Sequence, residues 1–413
     1  MKKVREGYKM TELGEIPEEW EIKPLNKIAY KIGDGLHGTP VYSEDGDYYF
    51  INGNNLNDGK ILITNETKKV NEIEYQKYKK ELNNNTLLIS LNGTIGNLAC
   101  YNSEKVVLGK SCGYITLKES VNKNYIFYAL NSNKIQLHFY KELTGTTIKN
   151  LSLDTLRKTN IPIPYIKEQQ KISSILSSVD EQIEISDNLI EKMKELKEGL
   201  MQRLLTKGIG HSRFKNTELG EIPEEWEIKP LNKIAYKIGD GLHGTPVYSE
   251  DGDYYFINGN NLNDGKILIT NETKKVNEIE YQKYKKELNN NTLLISLNGT
   301  IGNLACYNSE KVVLGKSCGY ITLKESVNKN YIFYALNSNK IQLHFYKELT
   351  GTTIKNLSLD TLRKTNIPIP YIKEQQKISS ILSSVDDQIS QYESKKEKLQ
   401  ELKKGLMQKL LTG

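Results

Sequence analysis

Residues Thr11 to Asp180 recur without a single change at Thr217 to Asp386, an offset of 206, so each copy holds 170 identical positions. Solenoid repeats run about 20 to 50 residues and cannot bury a core singly, whereas about 50 to 200 residues is the size of an independent domain. The chain is therefore read as two copies of one cored domain plus whatever joins them. Perfect identity at this length marks a very recent duplication, natural or made. Whatever surface one copy presents, the other presents as well.

Composition narrows the class. With 37% hydrophobic residues and a mean hydropathy of −0.56 over 413 residues, the chain can build two cores and is not disordered. No apolar run reaches the roughly 18 residues of a membrane span, and Met1-Lys-Lys-Val-Arg5 is not followed by the apolar stretch of a signal peptide, so the expected compartment is the cytoplasm. Cys100 and Cys112 return as Cys306 and Cys318 with no CxxC spacing and no clustered histidine, which points to free thiols rather than disulfides or a zinc site. A net charge of +6 and a pI near 8.7 lean toward a polyanionic partner. Arginine is confined to Arg5, Arg157, Arg203, Arg213 and Arg363, so phosphate contacts would fall mainly to lysine.

Each copy reads as α+β. Asp47-Tyr-Tyr-Phe-Ile51, Thr86-Leu-Leu-Ile-Ser90 and Gly113-Tyr-Ile-Thr-Leu117 are short, β-branched or aromatic runs bounded by turn residues, hence strands. Tyr125 to Tyr140, with Ile126, Leu130, Ile135 and Leu137, is expected to form one helix. Trp20 and Trp226 are read as core anchors of each domain's first strand in preference to stacking platforms.

The pattern changes at Ile161-Pro-Ile-Pro-Tyr165. Two alternating prolines forbid helix, and Lys167-Glu-Gln-Gln-Lys171 then starts one. Ile172, Leu176, Val179, Ile183, Ile190, Met193, Leu196, Leu200 and Leu204 fall mostly at three- and four-residue steps up to the stop at Lys207-Gly-Ile-Gly210. The second copy repeats the stripe with Ile378, Leu382, Val385, Ile389, Tyr392, Leu399, Leu402, Leu406 and Leu410. About 39 residues at 1.5 Å each makes a rod of roughly 57 Å, too long to bury its stripe alone. Two separate helices, each lying on its own domain, is the bland alternative; pairing with each other is the favoured one. An antiparallel pair would set the two domains about a two-fold axis, the symmetry of antiparallel DNA strands. Gly199 and Gly405 lie inside otherwise good helix, explained either by close approach of a partner backbone or by a bend. The expected domains are 1–165, a helical spacer at 166–208, 209–371, and a second spacer at 372–413.

With those features in place the chain resembles the specificity subunits of Type I restriction-modification systems over nearly its whole length. The residues that carry the likeness are Tyr8-Lys-Met-Thr-Glu-Leu-Gly-Glu-Ile-Pro-Glu-Glu-Trp20, repeated as Thr217 to Trp226; Leu91-Asn-Gly-Thr-Ile-Gly96; Leu143-Thr-Gly-Thr-Thr-Ile-Lys-Asn-Leu151; and Ile161-Pro-Ile-Pro leading through Glu168-Gln169 into the helix. The resemblance implies two target-recognition domains on helical spacers, each reading half of a bipartite DNA site. It also implies partners: two methyltransferase (modification) subunits that bind S-adenosylmethionine, and restriction subunits that use ATP for translocation. The chain itself would hold no cofactor, no metal and no catalytic residue. The sequence agrees, because it has no Pro-Pro pair of the kind an adenine methyltransferase loop needs. Gly109-Lys110-Ser111 imitates a phosphate-binding loop, but Glu104 occupies its first glycine position. Members commonly carry two dissimilar domains, whereas here they are identical, so the expected target is an interrupted palindrome.

Candidate DNA contacts are loops rich in small polar residues, where backbone amides can approach phosphate and polar tips reach base edges. Asp34, His37 and Thr39 lie in the first such loop; Asn52, Asn54 and Asn55 in the second; Asn92 and Thr94 in the third; Thr144, Thr146, Thr147 and Lys149 in the fourth; and Lys110 and Ser111 are added. Their copies are Asp240, His243, Thr245, Asn258, Asn260, Asn261, Asn298, Thr300, Lys316, Ser317, Thr350, Thr352, Thr353 and Lys355. Asn54, Asn55 and Lys110 are the favoured base contacts; ordinary turn chemistry is the competing explanation for all of them. His37 could touch DNA or cap a turn. The rival from another class is a two-headed scaffold for protein or glycan ligands, which steep salt dependence of binding would exclude.

Overall fold

A computed structural model describes residues 4–145, 149–351 and 355–412. They divide into two compact units, Met1–Asp187 with Ser394–Gly413, and Asn188–Glu393. Each unit therefore contains one repeat, the root of the long helix that follows it, and the tail of the other long helix.

In the first unit a four-stranded antiparallel sheet has the order Leu98–Cys100, Thr86–Ser90, Cys112–Leu117, Ala29–Asp34. All five residues of Thr86–Ser90 are buried, because the sheet has a core on each face. Side chains alternate along a strand. Leu87 and Ile89 accordingly join Trp20, Leu25 and Tyr125 on one face, while Leu88 joins Ala99, Cys112 and Tyr114 on the other. A three-stranded sheet lies beyond, with Val106–Leu108 parallel to Tyr48–Ile51, which runs antiparallel to Lys69–Val70. Glu21–Pro24 pairs with Asn160–Ile163 and brings the proline segment back to Trp20. The second unit repeats these pairings at Ala235–Asp240, Tyr254–Ile257, Thr292–Ser296 and their neighbours.

The single helix expected over 125–140 is two, Lys123–Leu130 and Asn133–Lys141. Asn131 caps the end of the first and Ser132 stands at the start of the second. Ser132 takes an extended backbone (φ −64°, ψ 145°) between them, and that single residue ends the helical run that apolar periodicity alone would continue.

The long helices run Ile166–Lys207 and Ile372–Leu410, and they pair antiparallel inside each unit. In the first unit Asp180 meets Lys403 at 2.6 Å and Asp187 meets Lys396 at 2.5 Å, so seven residues forward on one helix is seven residues back on the other. In the second, Lys197 meets Asp386 at 2.6 Å and Lys194 meets Glu393 at 3.2 Å. A step of seven is close to two turns and keeps the same faces together.

Each tail also finishes a domain core. Leu406, Met407, Leu410 and Leu411 pack on the core around Trp20 in the first unit, and Leu200, Met201, Leu204 and Leu205 pack around Trp226 in the second. The predicted stripe departs from this at Leu196 and Leu402, which are about half exposed. A straight helix drifts by about 20° every heptad, and Lys197 and Lys403 occupy the buried seam instead.

The roots are locked by polar side chains. Trp20 is a core anchor: its ring is buried and its indole nitrogen donates to Glu168 at 3.2 Å, as Trp226 does to Glu374 at 3.1 Å. Gln169 accepts from the Asn122 amide at 2.9 Å and donates to the Pro164 carbonyl at 2.8 Å. Among the described residues no helix is long and apolar enough to cross a membrane.

Gly199 and Gly405 are exposed, and a Cβ built at either meets nothing within 4 Å, so no described backbone of this chain approaches them closely. Replacing both by alanine is expected to raise stability by about 1 kcal/mol each, read as a shift in urea midpoint. A loss of stability would show that the glycines are needed for a local bend.

Candidate nucleic-acid interface

All the candidate loops of a head are hydrogen-bonded to one another. The turn Gly109-Lys110-Ser111 between strands Val106–Leu108 and Cys112–Leu117 is the hub. Loop 33–39 attaches to it through the Leu36 amide on the Leu108 carbonyl (2.7 Å) and the Gly35 amide on the Cys112 carbonyl (3.1 Å). Loop 52–55 is a 3-10 turn whose Gly53 amide donates to Ser111 Oγ at 2.9 Å, and that hydroxyl donates to Asn52 Oδ1 at 3.0 Å. Loop 92–97 joins both: Leu91 donates to the Ser111 carbonyl at 2.9 Å and Thr94 Oγ1 donates to the Gly53 carbonyl at 2.9 Å. Loop 144–150 pairs with it through a bridge between Asn92 and Asn150, with Thr144 bridged to Asn150 within the loop. The second head carries the same bonds, for example Gly259 to Ser317 and Thr300 to Gly259.

Within the cluster the side chains divide by task. Asn55 Oδ1 accepts from the Asn52 amide and its Nδ2 donates to the Leu62 carbonyl, as Asn261 does between Asn258 and Leu268. Together with Asn52, Thr94 and Ser111, Asn55 holds the loops in place, with one amide N–H and one carbonyl lone pair engaged and one of each remaining. Thr39, Asn54, Lys110 and Lys149 are exposed and engage no side-chain partner among the described residues, and Thr245, Asn260, Lys316 and Lys355 match them. Asn92 and Asn298 are half-buried, and Thr144 and Thr350 turn their hydroxyls to the carbonyls of Asn150 and Asn356. His37 is paired with Asp34, and His243 with Asp240, at 2.6 Å. Thr146, Thr147, Thr352 and Thr353 lie outside the described residues.

The Gly109-Lys110-Ser111 turn leads into a strand rather than the helix a phosphate-binding loop requires. Among the described residues no group of three His, Cys, Asp or Glu side chains could hold a metal. The four cysteines are free, and burial pushes the thiols of Cys112 and Cys318 well up, away from nucleophilic chemistry.

Sequence reasoning missed the polar contacts that hold the helices to the heads. Tyr128 donates to Asp180 at 2.7 Å, and burial followed by that carboxylate pushes the phenol up. His211 stands between Glu225 (2.9 Å) and Glu374 (2.8 Å) at the start of the second repeat, beside Trp226. His211 lies before the exact repeat, so the repeat comparison itself gave no signal for it.

With this geometry in hand, the chain matches the model of the Type I restriction modification DNA specificity domain twice, at 17–195 and 223–404. It is 30% identical over 428 residues to a Methanocaldococcus jannaschii protein named for the specificity subunit of the type I restriction enzyme MjaX, covering 99% of this chain and 96% of that one. The type I restriction enzyme MjaVIII specificity subunit of the same organism is 28% identical over 96% of this chain and 93% of its own. A crystal structure of a Type-I restriction-modification system S subunit from M. genitalium superimposes with a TM-score of 0.61 at 17% identity, over 99% and 97% of the two chains, which shows the shared fold.

The glycines of the cluster give a local test. A Cβ at Gly35 would overlap the carbonyl oxygens of Leu108 and Gly109, which are backbone atoms and cannot swing aside, whereas one at Gly38 meets nothing within 4 Å. Gly35→Ala is expected to cost about 2 kcal/mol or more in chemical unfolding, and Gly38→Ala to stay within about 0.5 kcal/mol. Equal effects would mean that loop 33–39 is not pinned to the hub.

Proposed function

The chain belongs to the Type I restriction modification DNA specificity family, and from that premise we propose that its two heads read the same half-site on opposite strands of one interrupted palindrome. As a specificity subunit it recognises DNA sequence and is not itself the catalyst. What carries the finer reading is the identity of the heads: 170 positions agree, and the loop cluster recurs bond for bond. Two identical readers on a duplex with antiparallel strands favour a target whose halves repeat in inverted order.

In this reading residues 1–165 and 209–371 are the recognition domains, 166–208 and 372–413 are the spacers, and spacer length sets the unread gap. Asn54 and Lys110 reach base edges, Asn for adenine and Lys for guanine, while Lys149 and the exposed threonines contact the backbone. Asn52, Asn55, Thr94 and Ser111 hold the reading loops. Two methyltransferase subunits carrying S-adenosylmethionine dock on the spacers, ATP-dependent restriction subunits complete the complex, and the assembly works in the cytoplasm.

Methylation mapping with the cognate modification subunits tests the reading. The expected motif is an interrupted palindrome, and an asymmetric motif would contradict it. Binding should also weaken steeply with salt, and Lys149→Ala with Lys355→Ala should reduce the slope of log affinity against log salt by about 2, one phosphate per lysine. An unchanged slope would remove these lysines from the backbone contacts.

A further inference from the structure

Resting on the reading that the loop cluster faces DNA, we propose that Asp34 and His37, with Asp240 and His243 in the second head, form a base-reading dyad. The imidazole reads a base that carries an exocyclic amino group, and the carboxylate is a positioning residue that orients the ring. His37 Nε2 lies 2.6 Å from Asp34 Oδ2, and the second head repeats the distance. A carboxylate can only accept, so the proton in that contact sits on Nε2. In its neutral form the ring then offers Nδ1 as a pure acceptor. In the major groove the matching donors are adenine N6 and cytosine N4, whereas guanine and thymine present acceptors on the corresponding edges. A carboxylate-held neutral imidazole therefore selects amino bases over keto bases.

Two observations separate this from a merely structural pair. The loop is already pinned by the Gly35 and Leu36 amides, and a carboxylate–imidazole contact whose histidine is 60% exposed adds little to stability. The ring also stands one residue past the pinned Leu36 and next to Gly38, where the surface is open. Asp34 by itself would repel phosphate. Lys110, on the turn bridged to Leu36 through Gly109, supplies a neighbouring cation with no ion pair among the described residues.

The test uses the full chain with its modification subunits and duplexes carrying the mapped half-sites. Each adenine or cytosine is replaced in turn by purine or 2-pyrimidinone, which lack the amino group. The wild type should lose about tenfold in affinity at one position of each half-site. His37→Ala with His243→Ala should abolish that sensitivity and leave the salt slope unchanged. Asp34→Ala with Asp240→Ala should weaken it, and Asp34→Asn with Asp240→Asn, whose amide oxygen still accepts from Nε2, should restore it. Making the histidine change in the first head alone should relax one half-site only. An analogue profile unmoved by the histidine variants, or uniform weakening with a lower salt slope, overturns the dyad. If Lys149→Ala with Lys355→Ala leaves both affinity and slope intact, the DNA-facing reading of the cluster has failed as well; if those fall while the analogue profile stays fixed, only the dyad has.

Discussion

Everything in the molecule depends on an apolar helix face that cannot stay wet. A stripe spread over some forty residues must be covered along its length. Here the cover is shared: the root of each long helix leaves its own head, and the tail of the other closes the same core. Leu410 and Leu411 stand to Trp20 as Leu204 and Leu205 stand to Trp226. One repeat by itself holds the head and root of a unit but not the tail that completes its core. The half-buried Asp180–Lys403 and Lys197–Asp386 pairs add direction and register to contacts that hydrophobicity alone would leave sliding. Partly buried pairs of this kind add specificity more than raw stability.

The same economy governs the loops. A reading surface has to hold its shape before the duplex arrives, because every side chain that must be ordered on binding costs affinity. Among the described polar residues of the cluster, Asn52, Asn55, Thr94 and Ser111 tie distant segments together, and Thr39, Asn54, Lys110 and Lys149 are exposed with no side-chain partner. Gly35 and Gly53 permit backbones to approach where any Cβ would overlap a carbonyl or a serine hydroxyl.

Much of this was legible in the residues. The repeat, the strands at Thr86–Ser90 and Cys112–Leu117, the proline boundary and the pairing of two long helices follow from periodicity and from what a stripe must do. What escaped was decided locally or at long range. The helix that apolar spacing made continuous is broken at Ser132, because one residue in extended conformation is enough to end a helical run. Leu196 and Leu402 left the seam because a straight helix does not hold a strict period. Asn54 and Asn55 look alike in sequence, yet only Asn55 has its side chain bonded within the head, to partners that depend on how the chain folds back at Leu62. The ion pairs between helices joined residues more than 180 positions apart, where no local pattern reports them.

The central claim is that two identical heads address the two strands equivalently. It is tested most directly by titrating the full complex against three duplexes of equal length and spacing: one with two half-sites inverted, one with the same half-sites in direct repeat, and one with a single half-site. The account predicts that the inverted duplex binds at least about tenfold more tightly than the direct repeat, which should fall near the single half-site. Equal binding of inverted and direct repeats would contradict it.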